Sequence, residues 1–319
     1  MTHTPRHIPV SLILTTRNEA SHVPLFLDGV RAQTVQPDDI VICDGGSTDD
    51  TVARFRELGA DLPLRVIVEE GANIAQGRNC AIRAAKNDIL AFTDAGCIIE
   101  AEWLERITAP LLDETEVDAV SGGYTLIGET RIQRWTRAAE IPLTRQDPES
   151  FLPSSRSFAA RRGPLERAGL YPEHLTFAGE DTALVRRMRD MGARFVTRWD
   201  ALVHWYPRPT LMQYVRQHYL YGLGDGEARN STGRYLKTAM KWLLVFLHLL
   251  PALWYPWLLL FLPVALLMYA FRLAPSYDWN MLPPGERIGG FLLILLKEIS
   301  MSAGYLIGRL RGPRGGRTR

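Results

Sequence analysis

Four short runs of this chain combine acids, amides and cations with the glycines that let a backbone turn beneath a ligand. The first is Asp44-Gly45-Gly46-Ser47-Thr48-Asp49-Asp50-Thr51, which leaves a β-branched stretch, turns on two glycines and starts a helix that Ser47 or Asp49 is placed to cap. The Asp44 carboxylate can accept a hydrogen bond from a base or ribose, or can simply hold a turn together. The second, Gly77-Arg78-Asn79, offers a guanidinium and an amide where a diphosphate would need neutralising; the alternative is a solvated helix face. The third, Thr93-Asp94-Ala95-Gly96-Cys97, ends an apolar run on an acid. Such an acid is costly when buried unless it meets a metal, a ligand or a donor, or caps the next helix. The fourth, Gly179-Glu180-Asp181, sets two acids at the start of an arginine-rich helix, where the dipole favours the ionised form. A general base for a hydroxyl is one reading of that pair and an ordinary N-terminal cap is the other.

The elements that must position these runs alternate. Residues 10–15, 40–43, 64–68 and 89–93 read as buried strands, and residues 23–32, 51–58 and 74–85 carry apolar side chains at helical spacing between them. Strands joined by crossover helices imply a mostly parallel sheet with its ligand crevice at the strands' C-terminal ends. Thr15-Thr16-Arg17-Asn18, Asp44-Gly45-Gly46, Glu69-Glu70-Gly71 and Asp94-Ala95-Gly96 stand at four such ends. Further on, strands at 157–160, 194–197 and 201–204 and helices at 181–191 and 210–221 predict a mixed sheet in the second half.

The chain has 319 residues with 37 Lys and Arg against 35 Asp and Glu, a formal charge of +2, which is too balanced for a nucleic-acid footprint. Cys43, Cys80 and Cys97 form neither a disulfide framework nor a zinc pattern, and a reducing cytosol suits them. The apolar run at 10–14 lacks the length of a secretory signal, so none is expected. Composition changes at Lys241. Residues 242–271 are apolar enough to reach across a bilayer, but Pro251, Pro256 and Pro263 predict a kinked span or a re-entrant hairpin. Residues 288–310 form a second apolar segment with Lys297 and Glu298 in its middle, read either as a second span or as a helix lying in the headgroup layer. A tail at 311–319, rich in arginine, prefers the cytoplasmic side. The expected organisation is therefore a catalytic domain at 1–226, a juxtamembrane linker at 227–241, the two membrane segments, and the tail.

In combination the motifs resemble family 2 glycosyltransferases from about Pro9 to about Gly226: Thr15-Thr16-Arg17-Asn18-Glu19, then Asp44-Gly45-Gly46-Ser47-Thr48-Asp49, Gly77-Arg78-Asn79, a D-x-D-like strand end, and Glu180-Asp181, in the family's order. The resemblance implies an α/β GT-A fold, Rossmann-like with a mostly parallel mixed sheet, followed by C-terminal membrane helices. It implies an inverting transfer from a nucleoside-diphosphate sugar to a hydroxyl acceptor, lipid-linked or part of an envelope glycan, at the cytoplasmic membrane with catalytic domain and tail facing the cytosol. Thr15, Arg17, Glu19, Asp44, Arg78 and Asp94 would bind the donor nucleotide, Asp181 would be the base with Glu180 assisting, and Asp94 with His204 would hold Mg²⁺ or Mn²⁺. Arg156 would touch the acceptor or a phosphate. Two departures are visible. The D-x-D element reads Asp94-Ala95-Gly96 and lacks its second carboxylate. Gln213-Tyr214-Val215-Arg216 is followed by Gln217 rather than the tryptophan of processive synthases, which points to single additions. A degenerate protein that binds a nucleotide sugar without turning it over is the competing expectation; a nucleotidyltransferase is disfavoured because the first strand end contains no glycine.

Overall fold

The computed structural model describes residues 6–143, 146–176, 178–251 and 254–312; the tail expected at 311–319 lies outside the described residues from position 313 onward. Strand β1 (Arg6–Thr16) runs parallel to β2 (Val35–Asp44) on one side and β4 (Ile89–Phe92) on the other, and β3 (Leu64–Val68) extends the sheet parallel to β2. Helices α1 (Val23–Arg31), α2 (Thr51–Leu58) and α3 (Ile74–Ala84) are the crossovers. Beyond β4 come β7 (Phe158–Arg161), β6 (Ala119–Leu126), β8 (Phe195–Trp205) and β5 (Cys97–Ile99), so the order is β3-β2-β1-β4-β7-β6-β8-β5. Strand β7 is antiparallel to both its neighbours, β6 and β8 are parallel, and β5 is antiparallel to β8. The first half is thus a parallel crossover sheet and the second half is mixed, as the alternation predicts.

Alternate side chains of the central strands feed separate cores. Val10, Leu12, Leu14, Ile40 and Ile42 join one apolar cluster while Ile13, Val41 and Cys43 join another, which is why these strands read as unbroken apolar runs. Strand β2 starts five residues earlier than the apolar run because Asp39, fully buried, is satisfied inside the sheet by the Ser11 hydroxyl at 2.7 Å, Arg65 at 2.7 Å and the Lys86 amide at 2.9 Å. The two short strands expected at 194–197 and 201–204 are one strand, β8, whose pairing with β6 slips between Gly122 and Gly123. Strand β6 gives no apolar signal because its centre is Ser121-Gly122-Gly123. At Gly122 a Cβ would stand 1.9 Å from the Ser157 hydroxyl and 2.8 Å from the Ala201 carbonyl, so only glycine lets the neighbours close. Helix α4 (Trp103–Asp113), α5 (Arg131–Ala138) and α6 (Arg162–Arg167) were likewise not marked by periodicity, and α4 accommodates Pro110.

The described chain divides into two compact units, one of residues 6–126 and 147–206, the other of residues 127–143, 146 and 207–312. The catalytic boundary expected at 226 therefore falls within the second unit, because α8 (Leu211–Glu227) packs along α11 (Arg287–Arg311). Helix α7 (Glu180–Asp190) belongs to the first unit. In the second, the apolar stretch 242–271 is broken as its prolines require: α9 (Thr232–Leu249) ends before Pro251, a 3₁₀ turn spans Pro256–Leu260, and α10 (Phe261–Leu273) follows. The segment expected at 288–310 is the single helix α11. Among the described residues, Pro284–Arg311 is the stretch long and apolar enough to cross a bilayer.

Candidate active site

The centre of the site is a buried guanidinium. Arg78 lies on the sheet-facing side of α3, its side chain 7% exposed, and its two terminal nitrogens separate two acids: Nη1 donates to Glu180 Oε1 at 2.5 Å and Nη2 to Asp94 Oδ1 at 3.1 Å. Tyr171 supplies a ring 5.3 Å from the guanidinium carbon. Burial pulls the Arg78 pKa down, but the fields of Asp94 and Glu180 outweigh it and the net direction is up, so the cation is permanent. Glu180 moves the other way for an acid. Burial and the adjacent Asp181 raise it to about 7, with Arg78 offsetting only part of that rise. A second cation reaches Asp94 from the opposite side: Arg156 Nε is 3.6 Å from Oδ2, and its guanidinium lies 4.4 Å over the Trp205 ring.

Local structure explains these placements. Helix α3 starts in a capping box between Asn73 and Gln76, and Asn73 also donates to the carbonyls of Glu173 and Leu175. Gly77 lets α3 approach β1: a Cβ there would stand 2.2 Å from the Thr15 hydroxyl. Asn79, expected near the cleft with Arg78, instead clamps the Tyr171 backbone in both directions, at 2.8 and 3.0 Å, and bonds Glu173. These bonds fix the loop that leads to α7. Gly179 opens α7 in the left-handed region at φ 87°, Glu180 follows buried, and Asp181 is half-buried with Oδ1 on the Thr182 amide at 2.7 Å.

The remaining sequence-predicted residues fall around this centre in different ways. Asp44 is fully buried and holds its own loop, accepting from the amides of Gly46 and Ser47 at 3.0 and 2.7 Å and from the Ser47 hydroxyl. The cap expected of Ser47 or Asp49 is displaced by one residue: Asp50 is the N-cap of α2 without a side-chain bond, and Asp49 bonds the Thr51 amide. Thr15 donates to the Cys43 carbonyl at 3.1 Å. Arg17 is exposed, and Asn18, at φ 57°, ties its loop to Thr48 at 2.8 Å. A cavity of about 540 Å³ beside α3 is lined by Glu69, Glu70, Gly71, Gln76, Cys80 and Arg83, and Asp94, Glu180 and Asp181 are not among its walls. Cys97, next to the centre, is no nucleophile: burial, with Asp94 adding, raises its thiol to about 12.

The metal expectation meets one carboxylate. Asp94 has no partner acid at Gly96, although Glu19 Oε2 comes within 3.9 Å of where a Cβ at Gly96 would stand. His204, expected to complete the site, has Nδ1 on the Thr125 hydroxyl at 2.7 Å and Nε2 on Glu100 at 3.2 Å, so an ion would have to displace one of them. Among the described residues no group of three or more His, Cys, Asp or Glu could hold a metal. Asp94 itself has Arg78 at Oδ1 and Arg156 at Oδ2, so the residues present do not make a site that holds an ion by protein ligands alone.

A strand-end acid, a buried arginine and an acid pair opening a helix stand together at the C-terminal edge of this sheet, whose mixed α/β architecture is that of GT-A transferases. The model of glycosyl transferase family 2 matches residues 11–190, and the chain belongs to that family: it is a glycosyltransferase. Among curated proteins it is similar to the glycosyltransferase AglE of Haloferax volcanii, 26% identical over 223 residues covering 68% of this chain and 72% of the relative. It is also similar to the O-antigen chain rhamnosyltransferase RfbN of Salmonella typhimurium, 24% identical over 259 residues covering 74% and 81%. Among solved structures, the mannosyltransferase PcManGT of Pyrobaculum calidifontis, in complex with GDP-Man and Mn²⁺, superposes with a TM-score of 0.57 at 21% identity, over 95% of this chain and 88% of that one.

Proposed function

We propose that this enzyme transfers one sugar at a time, with inversion, from a nucleoside-diphosphate sugar to a hydroxyl of a lipid-linked or envelope-glycan acceptor at the cytosolic face of the membrane. The observation that carries this reading is the chain Asp94–Arg78–Glu180, which runs from the strand end to the first turn of α7, where Asp181 stands. Asp181, half-buried on α7, is the base that takes the proton of the acceptor hydroxyl as that oxygen attacks the anomeric carbon. Glu180 is turned inward and holds Arg78. Its part is to fix α7 and the guanidinium, not to meet the acceptor. Arg156, held against Trp205, is the cation nearest Asp94 from the other side and neutralises charge on the departing diphosphate. An Mg²⁺ or Mn²⁺ bound through Asp94 would add charge stabilisation to that leaving group. The acceptor class is supported by the names of the relatives and by the apolar C-terminal helices; single addition is supported by Gln217 following Arg216.

The test is calorimetric binding of a panel of nucleoside-diphosphate sugars to the solubilised full chain, with and without Mn²⁺, followed by turnover and product anomer by NMR. Binding of one donor that weakens in Asp94→Ala, and a product of inverted configuration, support the proposal. No binding by any donor would favour the degenerate, non-catalytic reading that the missing carboxylate at Gly96 motivates.

A further inference from the structure

We infer that the C-terminal unit docks on one leaflet of an anionic bilayer with α9 and α11 lying in its interface, and that α11 does not cross. The inference rests on the membrane attachment proposed above and concerns its geometry.

Helix α11 passes every length and composition test for a span, but it does not travel alone. It runs parallel to α8 at backbone contact. A Cβ at Gly222 would stand 2.0 Å from the Met301 carbonyl and one at Gly226 2.3 Å from that of Tyr305; at Gly304 and Gly308 it would meet the carbonyls of Tyr219 and Leu223 at 2.0 and 2.1 Å. Near the other end the Tyr214 hydroxyl donates to the Leu293 carbonyl at 3.3 Å. The pairs advance together along both helices, so wherever the middle of α11 goes, α8 goes with it. Helix α8 is not membrane material: it carries Gln213, Arg216, Gln217, Asp225 and Glu227 over 17 residues. Asp225 is held by Tyr235 at 2.6 Å and Arg234 at 3.1 Å. Helix α11 itself turns Lys297 to Glu140 at 3.3 Å, and Glu298 to Lys241 and Tyr269, so its mid-helix charges are spent inside the unit. Taking this pair through hydrocarbon would carry several charges to mid-bilayer, which is disfavoured residue by residue.

What α11 leaves exposed is a single stripe, not a lipid-facing cylinder. Ile288, Leu292, Ile299, Leu306 and Leu310 are exposed, and their steps of four, seven, seven and four residues bring them to one side of the helix. Helix α9 exposes a broader apolar face of Leu236, Met240, Leu243, Leu244, Phe246 and Leu247. Between them Trp254, Tyr255 and Trp257 are exposed in the break before α10, the residue types that settle at headgroup level. The charge matches an anionic surface. Between Glu227 and Asp278 the sequence has Arg229, Arg234, Lys237, Lys241 and Arg272 and no acid; Arg234 and Lys241 are paired with Asp225 and Glu298, so Arg229, Lys237 and Arg272 are the cations offered to headgroups. A helix with a narrow apolar stripe and its polar side satisfied by protein lies about 5–10 Å into the interface, where a spanning helix would place its middle about 15 Å deep.

The test is site-directed spin labelling of the full-length protein in phosphatidylcholine–phosphatidylglycerol vesicles, with one label at Leu292→Cys, Ile299→Cys or Leu306→Cys in a Cys80→Ser background, Cys43 and Cys97 being buried. Collision with oxygen and with a nickel chelate gives each label's depth. The inference expects three shallow labels at similar depth. A graded series with Ile299 deepest means a span and overturns it. Low collision with both reagents means that another protein face, such as a second copy, covers the stripe, and this overturns it too. If a label unfolds the protein, cysteines at Gly285 and Arg311 are probed with an impermeant maleimide in sealed vesicles; labelling from one side supports the flat arrangement and labelling from opposite sides refutes it. Failure of the vesicles to capture the protein in flotation would instead refute membrane attachment itself.

Discussion

Replacing Glu180 with Gln keeps the shape at Arg78 and removes one charge from a pair whose side chains are 7% and 8% exposed. At an effective dielectric of about 20, opposite charges roughly 4 Å apart attract by about 4 kcal/mol, and the carboxylate's own desolvation opposes much of that. Arg78 keeps Asp94 at 3.1 Å and Gln can still accept a hydrogen bond, so the loss of about 3–5 kcal/mol typical of an orphaned buried charge does not apply. Because burial and Asp181 raise the Glu180 pKa despite Arg78, the fold disfavours the ionised carboxylate, and the neutral Gln should leave stability near pH 8 unchanged or raise it by about 1–2 kcal/mol, seen as a midpoint unchanged or raised by about 2–8 °C in thermal melts. The difference from wild type closes with acid. Glu180 is raised to about 7 in the fold, above its ordinary 4.5, so the folded chain binds the extra proton and this group's contribution is full below pH 4.5 and fades as pH rises through 7. Wild-type stability should therefore slope downward between pH 5 and 7 from this group, and Glu180→Gln should flatten that slope. The same titration sets a rising limb in kcat/KM near pH 7, because only the ionised carboxylate completes the ion pair that fixes α7; in the variant this limb should move or vanish. The assay is a melt and a pH–rate profile on the same preparations. A variant with unchanged slope and an unchanged limb would refute the claim that Glu180 titrates against Arg78.

Asp181→Asn should lower kcat by about 10²- to 10⁴-fold with donor affinity retained, measured by turnover and calorimetry on one sample; loss of donor binding would remove Asp181 from the role of base. Arg156→Ala should weaken donor diphosphate binding while binding of the bare nucleoside stays unchanged, which a comparison of UDP-type and nucleoside ligands by calorimetry reads directly. Gly77→Ala places a methyl 2.2 Å from the Thr15 hydroxyl and should destabilise by about 1–3 kcal/mol, with Thr15→Val failing to rescue and Thr15→Gly rescuing in part.

The first half was legible because strands alternate with crossover helices, and the strand Leu64–Val68 and the helix Thr51–Leu58 match the spans expected at 64–68 and 51–58. It was illegible where packing depends on what is absent. Strand β6 is built around Gly122 because Ser157 and Ala201 close over it, and no local pattern announces a contact made 35 residues away in sequence or more. The site shows the same division. Arg78, Asp94 and Glu180 were identified by residue type and position, but their mutual engagement was not, because it joins the ends of α3, β4 and α7. For Asn79 the motif alone pointed to the cleft, and the third dimension assigns it to the loop at Tyr171.

That engagement changes what the arginine is for. A guanidinium that faced the donor directly would keep nitrogens open to phosphate, whereas Arg78 has one end on Glu180 and the other on Asp94 with its plane beside Tyr171. In the proposed function it is therefore a strut between the strand end that would meet the donor and the helix that would carry the base, with Arg156 as the phosphate-facing cation. The two arginines can be separated by their lysine variants. Arg78→Lys retains the charge but has no fork to reach two acids, so it should lower kcat and stability together while leaving donor affinity near wild type. Arg156→Lys keeps a point charge beside Asp94 and should raise donor KM with little change in melting. If Arg78→Lys instead weakened donor binding alone, with melting unchanged, the strut would be a phosphate ligand after all and the coupling between Asp94 and α7 would have to run through other residues.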